Sequence, residues 1–164
     1  MRTATITSQV STPWEEVAGA LCDEAYAVAA DALREGVVRS RFELVEKADE
    51  RAVFRVHSTE YKRKMTGGLD RNATVETVTD HCWSARDRTL TWVYHGEGGD
   101  RFHLRGVYRF APAGPGTRLT HEVTVEVRIP LIGGQIEKHV IAAFEKPDPR
   151  YTRLMEEVLA SRRA

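Results

Sequence analysis

The residues most able to do chemistry in this chain are six histidines, five tyrosines and two cysteines. His121-Glu122 opens like a His-Glu-x-x-His zinc-protease motif. Val125 stands where the second histidine is needed, and the segment alternates like a strand, so that motif is excluded. Cys22 and Cys82 form no Cys-x-x-Cys, and their spacing points to no histidine or acid partner. They read as reduced thiols rather than a disulfide framework, zinc site or nucleophile. No Gly-x-Ser-x-Gly is present. The glycine groups at 67–68, 96–99 and 114–116 lie between strand-like segments without the following helix a phosphate loop needs, so they read as hairpin turns. Neither a metal nor a cofactor is expected. Imidazoles and phenols remain, able to hold a ligand by hydrogen bonds or to pass a proton.

The 164 residues suit one domain, expected to span the whole chain. Twenty-four basic residues balance twenty-four acidic ones, which argues against a nucleic-acid binder. Apolar residues make up 41%, too many for a disordered chain. The start, Met1-Arg2-Thr3-Ala4, carries no apolar signal region, and no stretch approaches the ~18 apolar residues of a membrane span. A cytoplasmic protein is therefore expected, and Asn72-Ala73-Thr74 reads as a coincidental sequon.

The elements that would position these residues come in a clear order. Residues 3–9 alternate and read as a strand. Thr12, Pro13 and Glu15 form a Thr-x-x-Glu capping box, and Asp23 caps a second short helix that Gly36 ends. Period-two alternation then runs from 37 to 128. One face carries Val38, Ser40, Phe42 and Leu44, continued by Ala52, Phe54, Val56 and Ser58. Residues 65–72 read as a loop. Further strands are expected at 73–83, 89–95, 102–111 and 117–129, divided by strong turn signals. Six strands so closely connected must form an antiparallel meander. Gly133-Gly134 opens a helix with Ile136, Val140, Ala143 and Phe144 on one stripe. Pro147-Asp148-Pro149 interrupts it, and Asp148 can cap a final helix.

This order resembles the helix-grip fold, an α+β architecture. Here it would be a curved seven-stranded antiparallel sheet, with two short N-terminal helices, wrapped around a C-terminal helix. The run Thr12-Pro13-Trp14-Glu15-Glu16-Val17 and the strand Gly116-Thr117-Arg118-Leu119 are similar to segments of the START-related superfamily. Pro130-Leu131-Ile132-Gly133-Gly134-Gln135-Ile136-Glu137 resembles the strand-to-helix junction of an uncharacterised bacterial START-like family. The superfamily includes lipid and steroid carriers, pollen allergens and polyketide cyclases, so the resemblance implies a ligand-holding fold without choosing a reaction. The double proline departs from the usual continuous helix.

If the sheet curves around the helix, one parity of each strand faces inward. That parity holds Val75, Thr77, Thr79, His81 and Trp83; Leu90, Trp92 and Tyr94; Phe102, Leu104, Gly106, Tyr108 and Phe110; and Leu119, His121, Val123, Val125 and Val127. Its make-up, apolar with sparse polar tips, suits either a small-molecule pocket or a filled core. The candidate lining is His81, Trp83, Trp92, Tyr94, Tyr108, His121 and Val123, with Ile136, Val140 and Phe144 from the helix. His81 and His121 are expected either to meet in the pocket or to be satisfied core or rim residues. His57, His95 and His103, with Glu43, Glu76, Glu122 and Glu126, fall on the outward parity. No charged residue is expected in the middle of an inward strand face. The run Tyr61-Lys62-Arg63-Lys64, flanked by Met65 and Leu69, reads as a solvated strand end or as a lid making transient contact with anionic membrane lipid. The function expected is binding of a hydrophobic or amphipathic small molecule, such as a lipid, a sterol-like or a polyketide-like compound, without catalysis. The competing expectations are a polyketide cyclase- or dehydratase-type enzyme using the inward His and Tyr residues, and an interaction module with a filled pocket.

Overall fold

The structure, a computed structural model, describes residues 1–64 and 67–164. Met65, expected beside the basic run, lies outside the described residues. Seven strands form one antiparallel sheet: β1 (Arg2–Val10), β2 (Val37–Lys47), β3 (Arg51–Arg63), β4 (Leu69–Ser84), β5 (Thr89–His95), β6 (Phe102–Ala113) and β7 (Gly116–Val127). Their order is β1-β7-β6-β5-β4-β3-β2, a meander closed at one edge by the N-terminal strand. Helices α1 (Trp14–Leu21) and α2 (Glu24–Ala32) come after β1, and α3 (Gly133–Glu145) and α4 (Pro149–Arg163) come after β7. The α+β helix-grip architecture expected from the sequence is thus present. A single turn of tight helix at Gly99–Arg101 precedes β6.

The inward parity is the one the alternation marks. Phe54, Val56, Leu90, Trp92, Phe110, Val123, Val125 and Val127 are all buried. Helix α3 packs on β7 and β1, α2 on β2 and β3, and α1 on β6 and β7, so all three occupy one face of the sheet. The Gly-Gly-x-Ile-Glu run that opens α3 has a local reason. A Cβ on Gly133 would stand 2.4 Å from the Val127 carbonyl, so only glycine lets the helix start this close to β7. One turn later, buried Glu137 accepts the Val127 N–H at 2.9 Å, tying the helix to the strand end.

Three local expectations are corrected. Pro13, not Thr12, precedes α1, and no side chain caps that helix. Thr12 is buried instead, its hydroxyl accepting from Arg163 and its carbonyl from Thr117, so tertiary partners displace the capping box. Val38 is exposed because it is the extra residue where β2 shifts register against β3 between Val37 and Arg39. Leu44 keeps the register opposite Phe54 and is exposed on the edge strand, just before a second shift. A bulge leaves its extra residue out of the alternation, so of the four expected residues only Ser40 and Phe42 reach the core. Strand β4 begins at Leu69, within the expected loop, with Leu69 and Asp70 paired to Arg63 and Lys62. The helix after β7 breaks at Pro147-Asp148-Pro149, as the sequence predicts. It ends at Lys146, and α4 restarts with Asp148 accepting the Arg150 N–H at 3.0 Å and Pro149 in the first turn. Helix α4 then packs on α1 and α2, burying Val158 and Leu159 against Ala20.

Candidate functional site

Trp92 is the middle of the inward face. Its indole lies over Gly106 on the neighbouring strand and donates to Nε2 of His121 at 3.1 Å. His121 stacks flat on Tyr108, with centroids 3.8 Å apart and planes 6° from parallel. From α3, Phe144 covers both rings, 6.0 Å from Trp92 and 6.2 Å from His121. Tyr94, Tyr108, Val123, Ile136 and Val140 belong to the same apolar cluster. Eight of the ten residues expected to line a site therefore gather between the sheet and α3.

His81 and Trp83 join a second group on the same face. His81 stacks on Phe54 at 4.5 Å, and Trp83 meets Phe110 edge-on at 5.4 Å and Trp14 at 6.4 Å. Among the described residues no hydrogen bond or ring stack joins His81 to His121. Tyr108 packs against both groups and links them.

The sequence reading missed a third group. Asp31 and Arg34, on and just beyond the last turn of α2, reach Glu60 on β3. Arg34 donates to Asp31 at 2.8 Å and to Glu60 at 3.0 Å. Asp31 also accepts the Ser40 and Ser58 hydroxyls, each at 2.6 Å. Glu60 accepts from Thr77 and, at 3.0 Å, from the Tyr94 hydroxyl, while the Arg34 guanidinium stands 5.6 Å from the Tyr94 ring. The inward face does carry an acid, and a signal for it existed. Glu60 shares the parity of Phe54, Val56 and Ser58. Asp31 lies at a helix C-terminus, where the dipole disfavours a carboxylate unless a cation answers it.

Burial governs ionisation across the site. It lowers His81 and His121 each to about 4, so both imidazoles are neutral at pH 7; for His81 the Thr79 carbonyl, Asp31 and Asp80 oppose it. Burial lifts the Tyr108 phenol far above the usual range, and with Glu60 it pushes Tyr94 up to about 12. Burial disfavours the Arg34 charge, but Asp31 and Glu60 outweigh it and hold the guanidinium above its usual range.

The remaining candidates lie outside. His57 bonds Glu43 at 2.5 Å, His95 bonds Asp80 at 3.0 Å, and His103 bonds the Asp100 carbonyl at 2.9 Å. Lys62 and Arg63, in strand β3, face Glu97 and Glu35 at 3.4 and 3.9 Å. Cys22 and Cys82 are both free, and burial pushes the Cys22 thiol up to about 12 against the pull of Arg162. Among the described residues no three His, Cys, Asp or Glu side chains gather as metal ligands, and no helix is long and apolar enough to cross a membrane. The surface carries two open depressions. One of about 340 Å³ lies at the break between α3 and α4, lined by Ala143, Lys146, Pro147, Asp148 and Arg150. The other, of about 320 Å³, lies at the β5–β6 hairpin, where Tyr94, Phe102 and Leu104 also belong to the apolar cluster around Trp92.

Comparison with known proteins places this architecture. A family described as proteins of unknown function, DUF2505, matches residues 5–158. Among solved structures, TTHA0849 from Thermus thermophilus is 19% identical with a TM-score of 0.62, over 99% of this chain and all of that one (100%). The Zhui aromatase/cyclase from Streptomyces sp. R1128 is 16% identical with a TM-score of 0.54, over 98% and 92% of the two chains. A START superfamily protein from Mycobacterium smegmatis is 15% identical with a TM-score of 0.53, over 98% and 95%. At these identities the likeness is one of fold, and the fold is START-like. No match was found among curated proteins.

Proposed function

From the premise that the chain belongs to the DUF2505 family of proteins of unknown function, we propose that it binds a hydrophobic or amphipathic small molecule on the inward face of its sheet, for carriage, sequestration or sensing in the cytoplasm. One observation carries this reading. His81, Tyr108 and His121 lie deep enough for burial to dominate their ionisation. Even so, Nε2 of His81, Oη of Tyr108 and Nδ1 of His121 have no hydrogen-bond partner among the described residues. No side-chain nitrogen or oxygen there is both sealed and unpaired, so each of these three atoms touches open space. Unpaired polar tips set in aromatic and aliphatic walls are the make-up of a small-molecule site. The START-like fold, whose solved examples include an aromatase/cyclase, agrees with a ligand-holding role. The ligand-contacting residues in this proposal are His81, Trp83, Trp92, Tyr94, Tyr108, His121, Val123, Ile136, Val140 and Phe144.

The Tyr94–Glu60 hydrogen bond favours a second reading, because a phenol paired with a carboxylate is a unit able to move a proton. A cyclase-type enzyme would use it. Binding is preferred because both carboxylates of the cluster are already engaged by Arg34 and by hydroxyls.

Native mass spectrometry of the protein purified from its own host, before and after organic extraction, tests the proposal. A mass increment that extraction removes is expected. An unchanged mass, together with no uptake of 2-naphthol by the extracted protein, would overturn it. Turnover of a bound polyketide that Glu60→Gln abolishes would replace binding with the enzyme reading.

A further inference from the structure

The two inward histidines hold their protons on the same ring nitrogen but present opposite hydrogen-bonding senses. An indole N–H can only donate, so the His121 Nε2 that accepts it at 3.1 Å carries no proton. The proton of that neutral ring sits on Nδ1, which is left as a free donor. A carbonyl oxygen can only accept, so the His81 Nδ1 that lies 3.2 Å from the Thr79 carbonyl is the protonated nitrogen. Its Nε2 is left as a free acceptor. Stacking fixes both rings, His121 on Tyr108 at 6° and His81 on Phe54 at 7°, so neither turns over without breaking a stack.

Neither free nitrogen has a partner among the described residues, and neither is sealed from open space. Burial keeps both rings neutral. Asp31 and Asp80 are the charged groups that act on His81, and none opposes burial at His121. The histidines stand on β4 and β7, three strand spacings apart in the order β7-β6-β5-β4. They are two residues out of register, since His81 aligns through Trp92 and Gly106 with Val123, which sets them about 16 Å apart at the backbone. Their side chains project onto the same inward face.

We propose that His121 and His81 sort the ligand by polarity, taking a carbonyl-type acceptor at the Nδ1–H of His121 and a hydroxyl-type donor at Nε2 of His81, with the apolar body of the ligand between them. The inference rests on the binding reading above and adds which functional groups the ligand carries. A rigid two-ring hydroxy-ketone has this chemistry, and 6-acetyl-2-naphthol is a suitable probe.

The first measurement needs no variant and no ligand. Long-range proton–nitrogen NMR of the wild-type imidazoles at pH 7 is expected to show Nδ1 protonated and Nε2 bare in both rings. An Nε2–H tautomer or an imidazolium at either residue overturns the proposal while leaving ligand binding intact. The second measurement titrates wild-type protein with naphthalene, 2-naphthol, 2-acetylnaphthalene and 6-acetyl-2-naphthol. The hydroxyl and the ketone are each expected to tighten binding roughly fivefold, the typical worth of one hydrogen bond. In His81→Phe the gain from the hydroxyl disappears and the gain from the ketone remains, and in His121→Phe the reverse holds. Should His121→Phe fail to fold, because the Trp92 N–H is left unpaired, His81→Phe decides. Binding of all four probes with no gain from either group overturns the polarity sorting alone. Binding of none overturns the functional reading and this proposal with it.

Discussion

The Trp92 indole lies across Gly106, so close that a Cβ on the glycine would stand 2.4 Å from the indole nitrogen. The two residues face each other in the β5–β6 register. Bare backbone at 106 is what lets the indole lie flat and reach His121 two positions along the next strand. Gly106→Ala is therefore expected to displace the indole, cost about 1–3 kcal/mol of stability and free His121 to exchange tautomers. Denaturant unfolding and the imidazole nitrogen spectrum read the two effects. An unchanged His121 spectrum would show that the indole has room to spare.

The buried histidines make stability depend on pH in one direction. Each has a folded pKa of about 4 against an ordinary value of 6.5, so between these values the unfolded chain binds more protons. Their contribution is fully present above pH 6.5 and is lost as pH falls towards 4, by on the order of 3 kcal/mol for each ring. Unfolding free energy measured from pH 7.5 to 4.5 should fall steadily. His81→Phe should flatten part of that slope, and a parallel curve for the variant would remove His81 from the account.

Arg34 is the single cation between Asp31 and Glu60, whose side chains are 8% and 13% exposed. Removing it leaves two carboxylates in a poorly hydrated place. Arg34→Met is expected to cost about 3 kcal/mol, and adding Glu60→Gln should return part of that loss. Equilibrium unfolding of the single and double variants decides it. A single-variant loss below about 1 kcal/mol would mean that solvent hydrates both acids.

Asp148 caps α4 with its carboxylate, and the bond from the Arg150 side chain holds its pKa below the usual carboxylate value. Asp148→Ala should lower the melting temperature by a few degrees, whereas Asp148→Asn should retain most of it. The Asp148 contribution is present above the ordinary carboxylate pKa and is lost as pH falls through the lowered one. Equal melting of the two variants would locate the hold on α4 in Val158 and Leu159 alone.

Much of this molecule is written in local pattern. The alternation that places Leu90, Trp92 and Tyr94 on one face persists over whole strands, because the period of two is a property of the extended backbone. The break at Pro147 and the restart at Asp148 are equally local, since a proline ring ends a helix and a carboxylate begins one. Alternation failed at Val38, where a bulge set by the pairing of β2 with β3 inserts an extra residue, and it marked Leu44 as core although Leu44 stays exposed on an edge strand.

What the chain determined by itself is therefore the order of its elements, the inward parity, and the aromatic set of Trp92, Tyr108 and His121 between sheet and helix. Tertiary structure decided which polar groups answer one another. Asp31 meets Ser58 across 27 positions of sequence, Arg34 meets Glu60 across 26, Glu60 meets Tyr94 across 34, and His121 takes its tautomer from an indole 29 positions away. A hydrogen bond depends on distance and direction in space, and neither is encoded in the spacing of residues along a strand.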